Sequence, residues 1–137
     1  MKIISFDAYI ENDDRKPSNP NCLVKGNAFR IIDHELAFRI RQKLFPPPEP
    51  WKIGYLQRLI GADGHLFAAG LKGRHLDFEP IRRAWSRISD SRLHEYLSSL
   101  PPEWAEAQEA MEAAITHLQT VRERIGECVA ELRRTLA

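Results

Sequence analysis

Two carboxylates and two carboxamides lie close together near the start of this 137-residue chain. Asp14 is followed by Asn19 and Asn21, and Asp33 comes a short distance later. An aspartate held in a loop can take the proton of an incoming hydroxyl group. An asparagine five residues further on offers a neutral oxygen to Mg²⁺, and a later carboxylate offers a charged one. Magnesium takes few protein oxygens and completes its shell with water and substrate phosphates. A placed base beside a metal that neutralises phosphate charge is the equipment of phosphoryl transfer.

Such residues work only if the chain between them is short and defined. Asn12 to Pro20 carries Pro17 and Pro20 among Asn, Asp and Ser, which excludes regular structure and predicts a loop. Leu23–Lys25 and Ala28–Ile32 read as strands around Gly26-Asn27, a hairpin signal. That hairpin would return Asp33 towards the loop. Upstream, Ile3, Phe6 and Ile10 recur at helical spacing and predict a helix over 2–12. Downstream, Glu35 to Leu44 reads as a short helix, stopped by prolines at 46–48 and 50, which predict a stiff, extended connector.

The segment Asn12-Asp13-Asp14-Arg15, Pro17, Asn19-Pro20-Asn21, Leu23 and Ile32-Asp33-His34 resembles the catalytic segment of HipA-like kinases. It is more distantly similar to phosphoinositide kinases, which have a DR-x-x-x-N loop and a metal-binding aspartate. The resemblance implies that Asp14 is the catalytic aspartate. It implies that Asn19 and Asp33 hold Mg²⁺ and, through it, ATP. The segments around Phe78-Glu79-Pro80 and Pro101-Pro102-Glu103-Trp104 are similar to the helical C-terminal region of that family. Two features depart from it. Glu35 stands where kinases commonly have glycine after the metal-binding pair. No strand lysine and no glycine-rich loop precede Asp14, so the chain is expected to be a fragment, a split kinase whose N-terminal lobe is a separate partner, or a kinase that has lost activity.

Each residue alone has an ordinary use. Asp14 and Arg15 can form a surface pair, Asn19 and Asn21 can serve a turn, and Asp33 can cap a helix. Their joint order and spacing favour the site. His34 is read as orienting Asp33 or the loop. His65, His75, His94 and His117 are read as surface or structural residues.

From Ile53 the chain reads as helical: Ile53–Ile60, Leu66–Leu71, Asp77–Ile88 with Pro80 in its first turn, and a helix capped by Asp90 carrying Leu93, Tyr96, Leu97 and Leu100. The last helix, from Glu103, has a stripe at Ala107, Met111, Ala114, Leu118, Val121, Ile125, Cys128 and Leu132. Gly126 is its weak point.

Residues 1–14 are acidic and 15–45 basic, around a net charge of +1, which signals no DNA-binding role. Two distant cysteines exclude a disulfide framework and fit a reducing cytoplasm. Asp7 interrupts the first apolar run too early for a signal peptide, and no window suits a membrane span.

The expectation is one mainly α domain over 1–137: a catalytic segment (1–45), a proline-rich connector (46–52) and a helical region (53–137). It has one β-hairpin, a long C-terminal helix and the character of a kinase large lobe. The expected function is phosphoryl transfer from Mg-ATP to a hydroxyl, inactive without the other lobe. The alternative is a non-catalytic helical protein that binds a partner through its last helix.

Overall fold

A computed structural model describes residues 1–38, 48–60 and 64–137. Its helices are α1 (Lys2–Tyr9), α2 (Tyr55–Ile60), α3 (Ala68–Leu71), α4 (Glu79–Ser86), α5 (Asp90–Ser98), α6 (Gln108–Glu123) and α7 (Ile125–Leu136). A 3₁₀ segment, Pro102–Ala107, leads into α6. Two antiparallel strands, β1 (Cys22–Lys25) and β2 (Ala28–Ile31), complete it. The mainly helical fold with a single hairpin is the expected one.

The first helix is shorter than 2–12. It ends at Tyr9, and Glu11 turns the chain at φ +60°. Of Ile3, Phe6 and Ile10, only Ile10 is buried in the core, and it lies just past the helix end. Ile4, Ala8 and Tyr9 face the core together with Ser5 and Asp7, while Phe6 is exposed. The two polar residues tolerate burial because both are hydrogen-bonded: Ser5 donates to the Lys2 carbonyl, and Asp7 is met by the partners described below.

The hairpin follows its sequence signal. Gly26, with φ +57°, takes the first central position of a two-residue turn, where a side chain would be strained. The register pairs Cys22 with Ile31 and Val24 with Phe29. Phe29 meets Phe67 edge-on at 5.7 Å and so ties the sheet to the body. Leu23 (58% exposed) and Val24 (67% exposed) remain open to solvent.

Residues 35–38 form a turn, and the rest of the expected 35–44 helix lies outside the described residues. The same holds for Pro46 and Pro47. The far end of the connector is packed rather than free: Pro50 is fully buried, and Trp51 lies beneath the guanidinium of Arg124, 5.4 Å away.

One core joins the start of the chain to its end. Ile4, Ala8 and Tyr9 of α1 share it with Leu56, Ile81 and Trp85, and with Val121, Cys128, Leu132 and Leu136 of α6 and α7. The C-terminal stripe is correctly oriented but unevenly buried. Ala107, Met111, Ala114 and Leu118 are half-buried, whereas Val121, Ile125, Cys128 and Leu132 are buried. The helical run breaks at Arg124 (φ −102°, ψ 20°), two residues before Gly126. A side-chain cap on α5 is present, but Ser89 supplies it, not Asp90: its Oγ accepts from the Arg92 amide at 3.2 Å. No helix among the described residues is long and apolar enough to cross a membrane.

Candidate functional site

After α1 the chain enters a closed loop. Lys16 and Asn19 exchange backbone hydrogen bonds of 3.0 Å in both directions, with Pro17 and Ser18 at the tip. Proline pre-sets the backbone there. Inside the loop, Oδ2 of Asp14 accepts from Nδ2 of Asn19 at 2.8 Å and from Nδ2 of Asn21 at 3.0 Å. One carboxylate oxygen therefore holds both carboxamides. Asp13 turns away to Arg58 at 3.4 Å, so Asp14 is the acid that belongs to the loop.

The hairpin ladder continues one step past β1 and β2, because the Ile32 amide donates to the Asn21 carbonyl at 3.0 Å. Asp33 is the next residue outward, so its backbone lies beside the end of the loop. Asn21 and Asp33 both have left-handed backbone, at φ +45° and +56°. Asn and Asp are the non-glycine residues that enter this region most readily. The chain thus turns sharply on both sides of the hairpin's open end, and each turn residue is a potential oxygen donor.

Beneath the loop lies a buried charged centre. Asp7 and Arg15 are both fully buried, with Arg15 Nε 2.7 Å from Asp7 Oδ2 and Nη2 3.2 Å from Oδ1. Asn12 Nδ2 donates to Oδ1 at 2.9 Å, and His65 Nε2 donates to Oδ2 at 2.9 Å. His65 Nδ1 accepts from the Phe67 amide at 3.3 Å, which fixes the ring as its Nε2–H tautomer. Burial alone would push the Asp7 carboxyl up. The hydrogen bonds from His65, Arg15 and Asn12 and the Arg15 charge outweigh it and hold Asp7 below the ordinary carboxylate range.

The other side of Arg15 faces the loop. Nη1 donates to the carbonyls of Pro20 (3.4 Å) and Asn21, and Nη2 reaches His34 Nε2 at 3.1 Å. A guanidinium only donates, so His34 Nε2 is an acceptor and its proton sits on Nδ1. The ring of His34 also meets Phe6 edge-on at 5.7 Å. On that side it borders an apolar groove of about 860 Å³ lined by Phe38, Trp85, Ile88 and Leu118 among others.

The structure therefore brings Asp14 and Asn19 together and sets Asp33 beside the loop by strand register. Arg15 is no surface partner of Asp14: it is buried on Asp7. Sequence reasoning passed over two contributors and gave a third, Asn21, no specific role. Asn21 looked like a turn residue. Asp7 looked like an interruption of an apolar run, although a charge amid helical core positions is itself a sign of a buried partner. His65 carried no local signal, since its partner is far away in sequence.

Three side chains here could offer oxygens to a hard divalent cation. With both amide groups turned to Asp14 Oδ2, the Oδ1 atoms of Asn19 and Asn21 and the Asp33 carboxylate have no hydrogen-bond or ion-pair partner among the described residues. No three His, Cys, Asp or Glu side chains among the described residues gather as a metal cluster. An oxygen set of few protein ligands is what Mg²⁺ accepts when phosphates and water supply the rest. Comparison with family models, curated proteins and solved structures gives no match to this chain.

Proposed function

We propose that this chain is the helical, metal-holding part of a HipA-like phosphotransferase. In this reading Asp14 takes the proton of an acceptor hydroxyl. Asn19 and Asp33 hold Mg²⁺ on the phosphates of ATP. The observation that carries the reading is the ladder bond from Ile32 to Asn21, which brings the Asp33 segment to the end of the Asp14 loop. Positioning and electrostatics supply nearly all the acceleration in such a transfer. When bound, the metal would neutralise charge on the transferred phosphoryl group.

The nucleotide must also be gripped from the other side. An N-terminal lobe, in the same polypeptide or a second one, is therefore part of the proposal. Leu23, Val24, Phe29 and Ile32 give that lobe an exposed apolar hairpin to rest on.

The test has two stages. Mn²⁺ titrated into the chain with and without ATP should broaden the NMR signals of 14–21 and 33, weakly without nucleotide and more strongly with it. Asp33→Asn should lose that response; identical behaviour of the two proteins would remove Asp33 from the site. With the small lobe supplied, Asp14→Asn should abolish phosphate transfer yet leave nucleotide binding largely intact, whereas Asp33→Asn should damage both. Full transfer by Asp14→Asn would end the role assigned to it.

A second reading, a helical interaction module, draws on exposed Trp104 and half-exposed Met111 at the start of the C-terminal helical run. From Val121 to Leu132 that run's stripe is already committed to the core.

A further inference from the structure

We propose that Asp7, acting through Arg15, is a positioning residue that locks the Asp14 loop and the Asp33 segment into one geometry. This inference rests on the phosphoryl-transfer reading and deepens it. Neither Asp7 nor Arg15 would touch metal, nucleotide or acceptor.

The first ground is saturation. A guanidinium has five N–H donors in a rigid fork. Here each has an acceptor: Asp7 Oδ2 at Nε, Asp7 Oδ1 and His34 at Nη2, and the Pro20 and Asn21 carbonyls at Nη1. Asp7 is equally complete, since each oxygen receives two donors.

The second ground is connectivity. Arg15 directly follows Asp14. Its Nη1 grips the end of the loop at Asn21, whose side chain holds Asp14. Its Nη2 grips His34, the neighbour of Asp33. One side chain thus fixes the loop at both ends and the following segment as well. The loop cannot shift against Asp33 without breaking a part-buried charge-assisted hydrogen bond. Asp7 sets the plane of the fork from α1, and His65, from the chain before α3, holds Asp7 in turn.

The third ground is cost. Taking a carboxylate and a guanidinium out of water is expensive, and well-packed apolar residues of similar volume often do as well or better for stability. Filling space does not require this pair. What an apolar pair cannot supply is a set of directed bonds to three separate segments.

The experiment replaces the frame without opening a hole. The double variant Asp7→Leu/Arg15→Met keeps apolar volume and removes both charges. His34→Leu and His34→Gln form a second pair that leaves the ion pair intact; glutamine restores an acceptor to Arg15 and leucine does not. Each is followed by cooperative unfolding, by amide exchange at Ile32, and by Mn²⁺ broadening in the presence of ATP. The folded double variant should bind Mn²⁺–ATP about 10–100-fold more weakly, the usual consequence of losing the residues that orient a ligand. Its Ile32 amide should exchange faster. His34→Leu should weaken binding in the same direction, and His34→Gln should recover most of it.

If the double variant does not fold, the His34 pair decides alone. Folded variants that retain wild-type Mn²⁺–ATP affinity and Ile32 exchange would overturn the positioning role and leave the phosphoryl-transfer reading standing. Indistinguishable Mn²⁺ responses in wild type and Asp33→Asn would overturn both.

Discussion

His117 Nε2 lies 2.8 Å from the carbonyl oxygen of Tyr9, across a sequence separation of 108 residues. A carbonyl can only accept, so this ring nitrogen carries the hydrogen. Tyr9 ends α1, where carbonyls lack partners within the helix. The α6 histidine therefore completes the helix that carries Asp7 and delivers the chain into the Asp14 loop. His117→Leu should cost about 1–3 kcal/mol, the range for a polar group left unpaired on burial. His117→Gln should cost less. Urea unfolding of the three proteins measures both.

Removing one member of the buried ion pair should be far more damaging than removing both. Asp7→Asn leaves the Arg15 charge without its counter-ion and should cost roughly 3–5 kcal/mol. Asp7→Leu/Arg15→Met should cost clearly less. Equal losses in denaturant melts would show that the pair contributes nothing beyond volume.

Acid should weaken the fold through Asp7 in particular. Its carboxyl lies below the ordinary range in the folded chain, because the bonds from His65, Arg15 and Asn12 outweigh the upward push of burial. Around pH 4 the unfolded chain then binds more protons than the folded one, so stability rises with pH. The contribution is complete above the unfolded value of about 3.9 and is lost as pH falls through the folded value. Glu131 behaves alike: burial raises its carboxyl, but Arg134 and the Gly54 amide outweigh it. Melts between pH 7 and pH 3 should show a steeper acid loss in wild type than in Asp7→Leu/Arg15→Met.

The stripe of the last two helices should show a gradient. Leu132 is fully buried, and Leu132→Ala should cost about 2–5 kcal/mol, the range for core leucines. Leu118 is half-buried on the groove, so Leu118→Ala should cost markedly less. A loss as large at Leu118 would mean that the groove is covered in solution.

The two thiols should differ in reactivity. Burial pushes the Cys128 thiol up to about 12, with a further rise from the nearby Glu127 charge, so it stays protonated and enclosed. Cys22 is half-buried at the start of β1. A disulfide reagent should modify Cys22 first in the folded protein and reach Cys128 on unfolding. Mass spectrometry of the labelled peptides distinguishes them.

The hairpin and most helices were legible because each is specified locally. Gly26-Asn27 names its own turn, and the stripe from Val121 to Leu132 repeats at helical spacing. The grouping of Asp14 with Asn19 was legible for the same reason, since five residues and two prolines confine it. The deeper half of the site was not. Asp7, His65 and His34 meet only through folding, and nothing near any of them announces the others. The break at Arg124 escaped too. Gly126 marks the region, but the residue that departs from helical geometry is the one drawn over Trp51, whose position no local pattern reveals.

The core that unites Tyr9 with His117 and Cys128 has a consequence for the order of events during synthesis. Helix α1 leaves the ribosome well before α6 and α7, the helices with which it shares that core. Contacts of such sequence separation are slow to form because the chain must close a long loop before they reward it. The apolar face of the nascent α1, Ile4, Ala8 and Tyr9, must wait, still hydrated, until α6 and α7 arrive to cover it. Synthesis of α6 and α7 and burial of the first helix's apolar face are thus coupled.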